Sequence, residues 1–303
     1  MRVTILNFED YLNWDAPDWR KRLPELPEVE CIARGLQPIC RGEMIKSLRI
    51  KRPDMVRGPY ARTWKKAVKS LENKKIHKIF RRAKRLIFVT DAKIALITQL
   101  GMTGKFLLSD TNGPVRKHNH LVMHLSSDIK LHFNDVRRFG KIWLIDSDGD
   151  DLEADMLAAG MSRIGPEPFD IKLPAFQRML ESARPVKSLL LDQTRLAGLG
   201  NIYADESLHA AGIHPAQHAI TLSKTKAGKL LLEIVRVLQE SIAQGGTTFS
   251  DYRDPYGDMG QFREMLTVYQ RVGEPCRRCK TLIEKIVITG RSSHYCPKCQ
   301  QPA

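Results

Sequence analysis

Two groups of residues have types and spacings that suit chemistry. The first is Pro24-Glu25-Leu26-Pro27-Glu28-Val29-Glu30. A proline inside a chain is an imide with no basic nitrogen, whereas a proline at a chain start is a secondary amine. Such an amine can attack an electrophilic carbon and form an iminium ion, as lysines do in Schiff-base catalysis. Glu25 beside it is a carboxyl placed to move protons. The second group is Cys276, Cys279, Cys296 and Cys299, a C-x2-C-x16-C-x2-C pattern. Each close pair can chelate one ion, and the interval suits a β-hairpin that brings the pairs together. Four thiolates complete a tetrahedral zinc and leave no position for water, so the expected Zn2+ is single and structural. An iron–sulfur cluster is the alternative.

Elements must hold these groups in place. Val29, Ile32, Ala33 and Leu36 fall at i, i+3, i+4 and i+7, which predicts a helix over 27–40 with Glu28 and Glu30 in its first turn. Residues 45–145 read mainly as strands, including 86–90, 94–98, 121–125 and 141–145, with turn residues between them. That spacing predicts a β-sandwich or barrel. After an acidic stretch at 146–155 the pattern turns helical, with helices expected at 174–183, 186–192, 201–211 and 223–244. Residues 247–262 have turn chemistry and are expected to be mobile. The class is α+β multidomain, divided as a 1–23 extension, a 24–150 sandwich, a 151–270 helical domain containing a 245–262 loop, and a 271–303 metal-binding hairpin.

The charge narrows the partner. The 303 residues carry 49 Lys and Arg against 34 Asp and Glu, a formal net charge of +15. This favours a polyanion, nucleic acid before membrane. No apolar run reaches membrane-spanning length and no signal peptide is evident. Cys31 and Cys40 are left over, as expected in a reducing cytoplasm. Gly198 and Gly200, in Leu196-Ala-Gly-Leu-Gly-Asn-Ile-Tyr, permit close backbone approach between two helices. Asn201 is expected to cap the second helix, whose first amides should face an anion, expected to be a phosphate. Met102, Arg137 and Phe139 lie in loops between predicted strands and offer an apolar wedge, a forked donor and a stacking ring. Arg81, Arg82, Lys84 and Arg85 form a basic run entering a strand.

These stretches together, over about residues 24–301, resemble the formamidopyrimidine-DNA glycosylase family of base-excision enzymes. The resemblance implies an N-terminal β-sandwich, a helix–two-turn–helix domain and a C-terminal zinc-finger hairpin, acting as a monomer on double-stranded DNA with oxidised bases or abasic sites. It implies Pro24 as Schiff-base nucleophile, Glu25 as proton donor, and Lys84 and Arg291 as helpers in strand elimination. It further implies DNA contacts for His118 and Asn201, and an intercalating triad of Met102, Arg137 and Phe139. The family's phosphate-binding lysine upstream of Val186 is not obvious; Ala183 takes its place, and Arg184 alongside is the expected DNA contact there. The expected activity is glycosylase and AP lyase on 8-oxoguanine and formamidopyrimidines, with an endonuclease VIII-like specificity for oxidised pyrimidines as the alternative.

The chain departs from the family pattern at its start, because Leu23 and 22 further residues precede Pro24. Residues 1–23 carry four acids and four bases and no motif. Leucine codons can initiate translation and are then decoded as methionine, so Leu23 is expected to be the true start. If residues 1–23 are retained, Pro24 is acylated and a non-catalytic lesion-binding protein is the reading.

Overall fold

The computed structural model describes residues 23–110 and 117–301. The extension, apart from Leu23, lies outside them. The chain begins with α1 (Leu26–Cys40), whose Glu25 N-cap and Glu28 form a capping box. Such reciprocal bonds satisfy amides that the first helical turn leaves orphaned.

Two antiparallel layers follow. One sheet has the order β1 (Ile45–Ile50), β7 (Asn119–Leu125), β8 (Ile129–Asn134), β6 (Lys105–Asp110). The other has the order β2 (Val56–Arg57), β9 (Lys141–Asp146), β5 (Ile94–Gln99), β4 (Arg85–Thr90), β3 (Ile76–Arg82), and only the short β2 runs parallel to its neighbour. Between them lies an apolar core including Leu48, Phe88, Leu96, Phe106, Leu131, Phe133 and Leu144, joined by Val29, Ile32 and Leu36 of α1. Helix α2 (Trp64–Leu71) interrupts the stretch that reads as strands, and packs Ala67, Val68 and Leu71 on the same core.

The helical half contains α3 (Leu152–Ala158), α4 (Leu173–Met179), α5 (Val186–Leu190), α6 (Asn201–Ala211) and α7 (Lys224–Ala243). Helices α4 and α5 stop two to four residues before the sequence pattern suggests. A second core gathers Phe176, Leu189, Leu199, Tyr203, Leu230 and Leu238, and Leu26 belongs to it. Helix α1 therefore starts in one core and continues in the other. The chain ends in a two-stranded hairpin, β10 (Glu284–Ile288) and β11 (Arg291–Tyr295). Thr289 and Gly290 join the strands with φ of 44° and 75°, the left-handed pair that a tight hairpin turn demands.

Residues 247–262 are held in ordered turns rather than left loose. Pro255 accepts a bond from the Leu108 amide at 3.1 Å, and the Asp254 carboxylate accepts from the amides of Tyr256, Gly257 and Asp258 at 2.8–3.0 Å.

Candidate active site

Helix α6 organises the site. It has no apolar stripe, and ten of its eleven residues are buried. A helix buried all round must send its polar groups to partners in other elements. At its N-terminus the orphan amides of Gly200 and Ile202 donate to the two Glu25 carboxylate oxygens at 2.6 and 3.0 Å. The anion at this helix start is thus Glu25, not the phosphate expected from the glycine-rich turn. This carboxylate, next in the chain to Pro24, reaches the amides first because Leu26 N donates to Gly198 O at 3.1 Å and seats the chain there. The N-cap is Gly200, and Asn201 is the first helical residue rather than the cap. The Asn201 side-chain oxygen is buried without a partner.

Close approach explains both glycines. A Cβ on Gly198 would stand 2.6 Å from the Leu26 Cδ1 atom, and one on Gly200 would stand 2.3 Å from the Glu25 carboxyl carbon and 2.7 Å from Lys84 Nζ. Lys84 thereby meets Glu25 across a single glycine. It sits at the tip of the β3–β4 hairpin, where Ala83 takes a left-handed φ of 54°. That conformation costs about 1–2 kcal/mol for a residue with a Cβ. The Ala83 amide is held by Glu167 at 2.6 Å, and the same carboxylate ion-pairs with Arg81 at 2.7 Å.

Burial pushes the Glu25 carboxyl up to about 7; the charge of Lys84 opposes this, Glu28 adds to it, and the Ile202 and Gly200 amides oppose it. Burial also lowers the Lys84 ammonium, against the attraction of Glu25 and Glu28 and with the help of Arg291. Arg291, first residue of β11, is therefore within electrostatic reach of Lys84.

A pocket opens over this region and is lined by Pro24, Glu28, Met102, Arg137, Thr247 and Tyr252, among others. Its floor is a buried network that the sequence motifs did not single out. Glu28 accepts from the Glu25 amide at 2.9 Å, the Thr247 amide at 2.8 Å and the Tyr203 hydroxyl, which also meets Ser241 at 2.6 Å. Burial raises Glu28, with the Tyr203 bond and the amides working against it.

Met102 and Arg137 come from two loops locked together by Asp135. Its carboxylate accepts from the Thr103 hydroxyl and from Gly140 N at 2.8 Å, while Thr103 Oγ1 accepts from Arg137 N at 3.0 Å. The Arg137 guanidinium lies 4.9 Å over the ring of Phe139, which is 41% exposed. His118 is tied to the same corner, its carbonyl accepting from Asp135 N at 3.1 Å. Arg184 stands apart. Its guanidinium is engaged by Asp192 at 3.1 Å and by the Ser188 carbonyl at 3.4 Å.

Polar side chains of α6 bolt the terminal hairpin in place. Asp205 pairs with Lys187 at 2.6 Å and accepts from His294 N and Nδ1 at 2.9 and 3.0 Å, all of them buried. Lys187 Nζ also donates to Ser292 O at 2.6 Å. Glu206 accepts from the amides of Thr267, Val268 and Tyr269 at 2.8–3.0 Å. These bonds fix the register of β11 and hence the position of Arg291.

Below the strands, the sulfurs of Cys276, Cys279, Cys296 and Cys299 all lie within 4.8 Å of one another. The Cys276–Cys299 and Cys279–Cys296 separations are 3.9 and 3.4 Å. A tetrahedral zinc with 2.3 Å bonds to sulfur has edges of about 3.8 Å, so the four cysteines fit that ion. Among the described residues no helix is long and apolar enough to cross a membrane.

A sandwich that carries its reactive end on one helix, a glycine-turn helical domain seated under it, and a four-cysteine hairpin define a zinc-finger, helix–two-turn–helix class of protein. Family models match all three parts: the formamidopyrimidine-DNA glycosylase N-terminal domain over residues 23–142, the formamidopyrimidine-DNA glycosylase H2TH domain over 164–253, and the zinc finger found in FPG and IleRS over 273–302. The chain is 40% identical over 284 residues to the formamidopyrimidine-DNA glycosylase of Exiguobacterium sp., covering 92% of this chain and all of that protein. It superposes with a TM-score of 0.82 on Lactococcus lactis Fpg bound to abasic-site DNA (38% identity, 91% and 99% of the two chains). The same score relates it to MutM bound to DNA containing carbocyclic 8-oxo-G (39% identity, 92% and 100%). The chain belongs to the formamidopyrimidine-DNA glycosylase family.

Proposed function

We propose that this protein is a bifunctional DNA glycosylase and AP lyase of base-excision repair, removing 8-oxoguanine and formamidopyrimidines through an imine at Pro24. The observation that carries the reading is the placement of Glu25. Its carboxyl is adjacent to Pro24, aimed into the start of α6, and raised to about 7 by burial, so it can hold a proton at neutral pH and release it. Pro24 lines the pocket in which a flipped nucleotide would sit.

The Pro24 amine attacks C1′ of the flipped nucleotide as the bond to the base breaks, with Glu25 supplying proton transfer. The iminium acidifies the 2′ hydrogen. β-Elimination releases the 3′ side of the strand and δ-elimination the 5′ side, with Lys84 and Arg291 moving protons and holding phosphates. Met102, Arg137 and Phe139 fill the vacated stack and meet the orphaned base, while His118 and Asn201 contact the backbone. Arg184, half exposed and ion-paired with Asp192, would exchange that weak surface pair for a phosphate. Zinc, when bound by the four cysteines, supplies rigidity to the hairpin. The net charge of +15 suits a cytoplasmic protein working on double-stranded DNA.

An acylated Pro24 has no lone pair for this attack, so the active form must present Pro24 as a free amine. The N-terminal family match begins at residue 23. Borohydride freezes an imine as a covalent protein–DNA adduct. On an 8-oxoguanine:cytosine duplex, a chain starting Met-Pro24 should be trapped after removal of its methionine, whereas a chain retaining residues 1–23 should not. An adduct mapped to a lysine, or binding without trapping by both forms, refutes the assignment. A thymine glycol duplex run in parallel tests the specificity.

A further inference from the structure

Glu167 lies between α3 and α4, in the part of the chain matching the H2TH domain, yet its carboxylate reaches into the sandwich. It is 6% exposed and takes three donors from the tip of the β3–β4 hairpin. These are the Ala83 amide at 2.6 Å and the Arg81 and Arg82 guanidiniums at 2.7 and 3.3 Å. Each arginine has another acidic partner, Glu30 for Arg81 and Glu153 for Arg82. What Glu167 adds is an acceptor for the Ala83 amide, at the left-handed residue that precedes Lys84. The base of this clamp is fixed as well. Pro166 O accepts from Ala197 N at 2.9 Å, and Gly165 N donates to Gln193 O at 2.8 Å. A Cβ on Gly165 would stand 2.7 Å from the Arg195 carbonyl carbon, so the two stretches press directly together. Residues 197–200 are the turn that seats Leu26 and gives the Gly200 amide to Glu25. One turn thus holds the Glu25 carboxyl directly and, through residues 165–167, the hairpin tip that carries Lys84.

We infer that Glu167 is a positioning residue for Lys84. It sets the β3–β4 tip against the glycine turn of α6, and with it the distance from the Lys84 ammonium to Glu25 and to the reacting nucleotide. The inference rests on the glycosylase reading above. Glu167 does not line the pocket beside Pro24, so its effect on the reaction passes through Lys84.

The chain starting Met-Pro24 is made as parent, E167A, E167Q, K84A and K84A/E167A, and single-turnover excision is timed on an 8-oxoguanine:cytosine duplex. E167A should be slower by about 100-fold, the size of effect that a misplacement near 1 Å produces. E167Q keeps the reach and an acceptor oxygen, and should recover most of the rate. In the K84A background E167A should cost less than about twofold, because residues acting as one unit are not additive. The same loss in both backgrounds overturns the inference, as do E167A at the parent rate and an E167Q no faster than E167A. Should E167A fail to fold, E167D decides by the same cycle. Its carboxylate remains for the arginines but retracts from the Ala83 amide by ~1.5 Å, one carbon–carbon bond. A parent chain that borohydride does not trap on abasic-site DNA removes the glycosylase reading and this inference with it. A trapped parent with additive losses removes this inference alone.

Discussion

The β-sandwich and the half of the molecule built on α6 are both buried, but they are held together by different means. The sandwich core is a continuous apolar cluster in which each side chain touches several equivalents. Around α6 an apolar cluster is present as well, but single polar contacts are added to it: Glu25 on its first amides, Tyr203 to Glu28, Asp205 to Lys187 and His294, and Glu206 to the 267–269 backbone. Apolar packing is non-directional and tolerates exchange of similar volumes. Polar bolts are directional, and each fixes one element at one place. The contrast teaches where precision resides: the sandwich supplies the body, and α6 sets the positions of Glu25, Lys84 and Arg291.

The largest effect should come from the hairpin. Removing zinc by chelation, or making Cys279→Ala, should unfold residues 271–301 while the sandwich stays folded, because structural zinc in small modules contributes about 10–16 kcal/mol. Hydrogen exchange should show lost protection in β10 and β11 and unchanged protection in β4, β5 and β8. Protection lost uniformly would mean that the two regions are one cooperative unit. Next in size, Asp205→Ala takes the 2.6 Å carboxylate partner from the buried Lys187 ammonium, at a cost of about 3–5 kcal/mol. Leu96→Ala in the sandwich should cost a similar ~2–5 kcal/mol. Urea melts should rank the two alike. Borohydride trapping at saturating enzyme should separate them, since Asp205→Ala displaces β11 and Arg291 whereas Leu96→Ala leaves the site intact. Equal trapping would show that the Asp205 bolt serves stability alone.

Much of the sandwich could be read from the sequence, since alternation marks strands and their order needs only short connections. The four strands expected at 86–90, 94–98, 121–125 and 141–145 lie within β4, β5, β7 and β9. Helix α2 was hidden because its lysine-rich outer face masks a three-residue apolar contact, Ala67, Val68 and Leu71. The bounds of α6 were visible because glycines flank it, Gly200 before and Gly212 at a φ of 72° after. Its role was not. Asp205, Glu206 and His209 find partners 58–89 residues away, and no local spacing encodes such distances. One signal was available: a helix with neither an apolar stripe nor paired surface charges must be buried on all sides. The error over the helix-start anion has the same origin, because a carboxylate 175 residues upstream competes with any ligand for those amides.

Gly200 tests the directional half at a single atom. A Cβ there would lie inside the van der Waals contact of both the Glu25 carboxyl and Lys84 Nζ. Gly200→Ala should displace the pair by a large part of an ångström and reduce single-turnover base excision about 100-fold, as misplacements of that size do. Thermal melts should move little, because the displaced groups are at the edge of both cores. A fall in stability matching the fall in rate would instead make Gly200 a packing residue.

The smallest expected effect is also the one most particular to Glu25. Its carboxyl titrates near 7 because burial penalises the charged form more than Lys84 and the two amides favour it. A proton donor with that value is loaded below pH 7 and empties above it, so single-turnover excision should be flat at pH 6 and decline about tenfold per unit well above pH 7. The sign separates two roles. Were Glu25 needed ionised, the rate would rise through pH 7 instead. Glu25→Gln should be slow and should lose the limb near 7, whereas Leu96→Ala should keep the parent profile, because nothing in the sandwich core titrates with the site. A limb near 7 that persists in Glu25→Gln would assign it to another group.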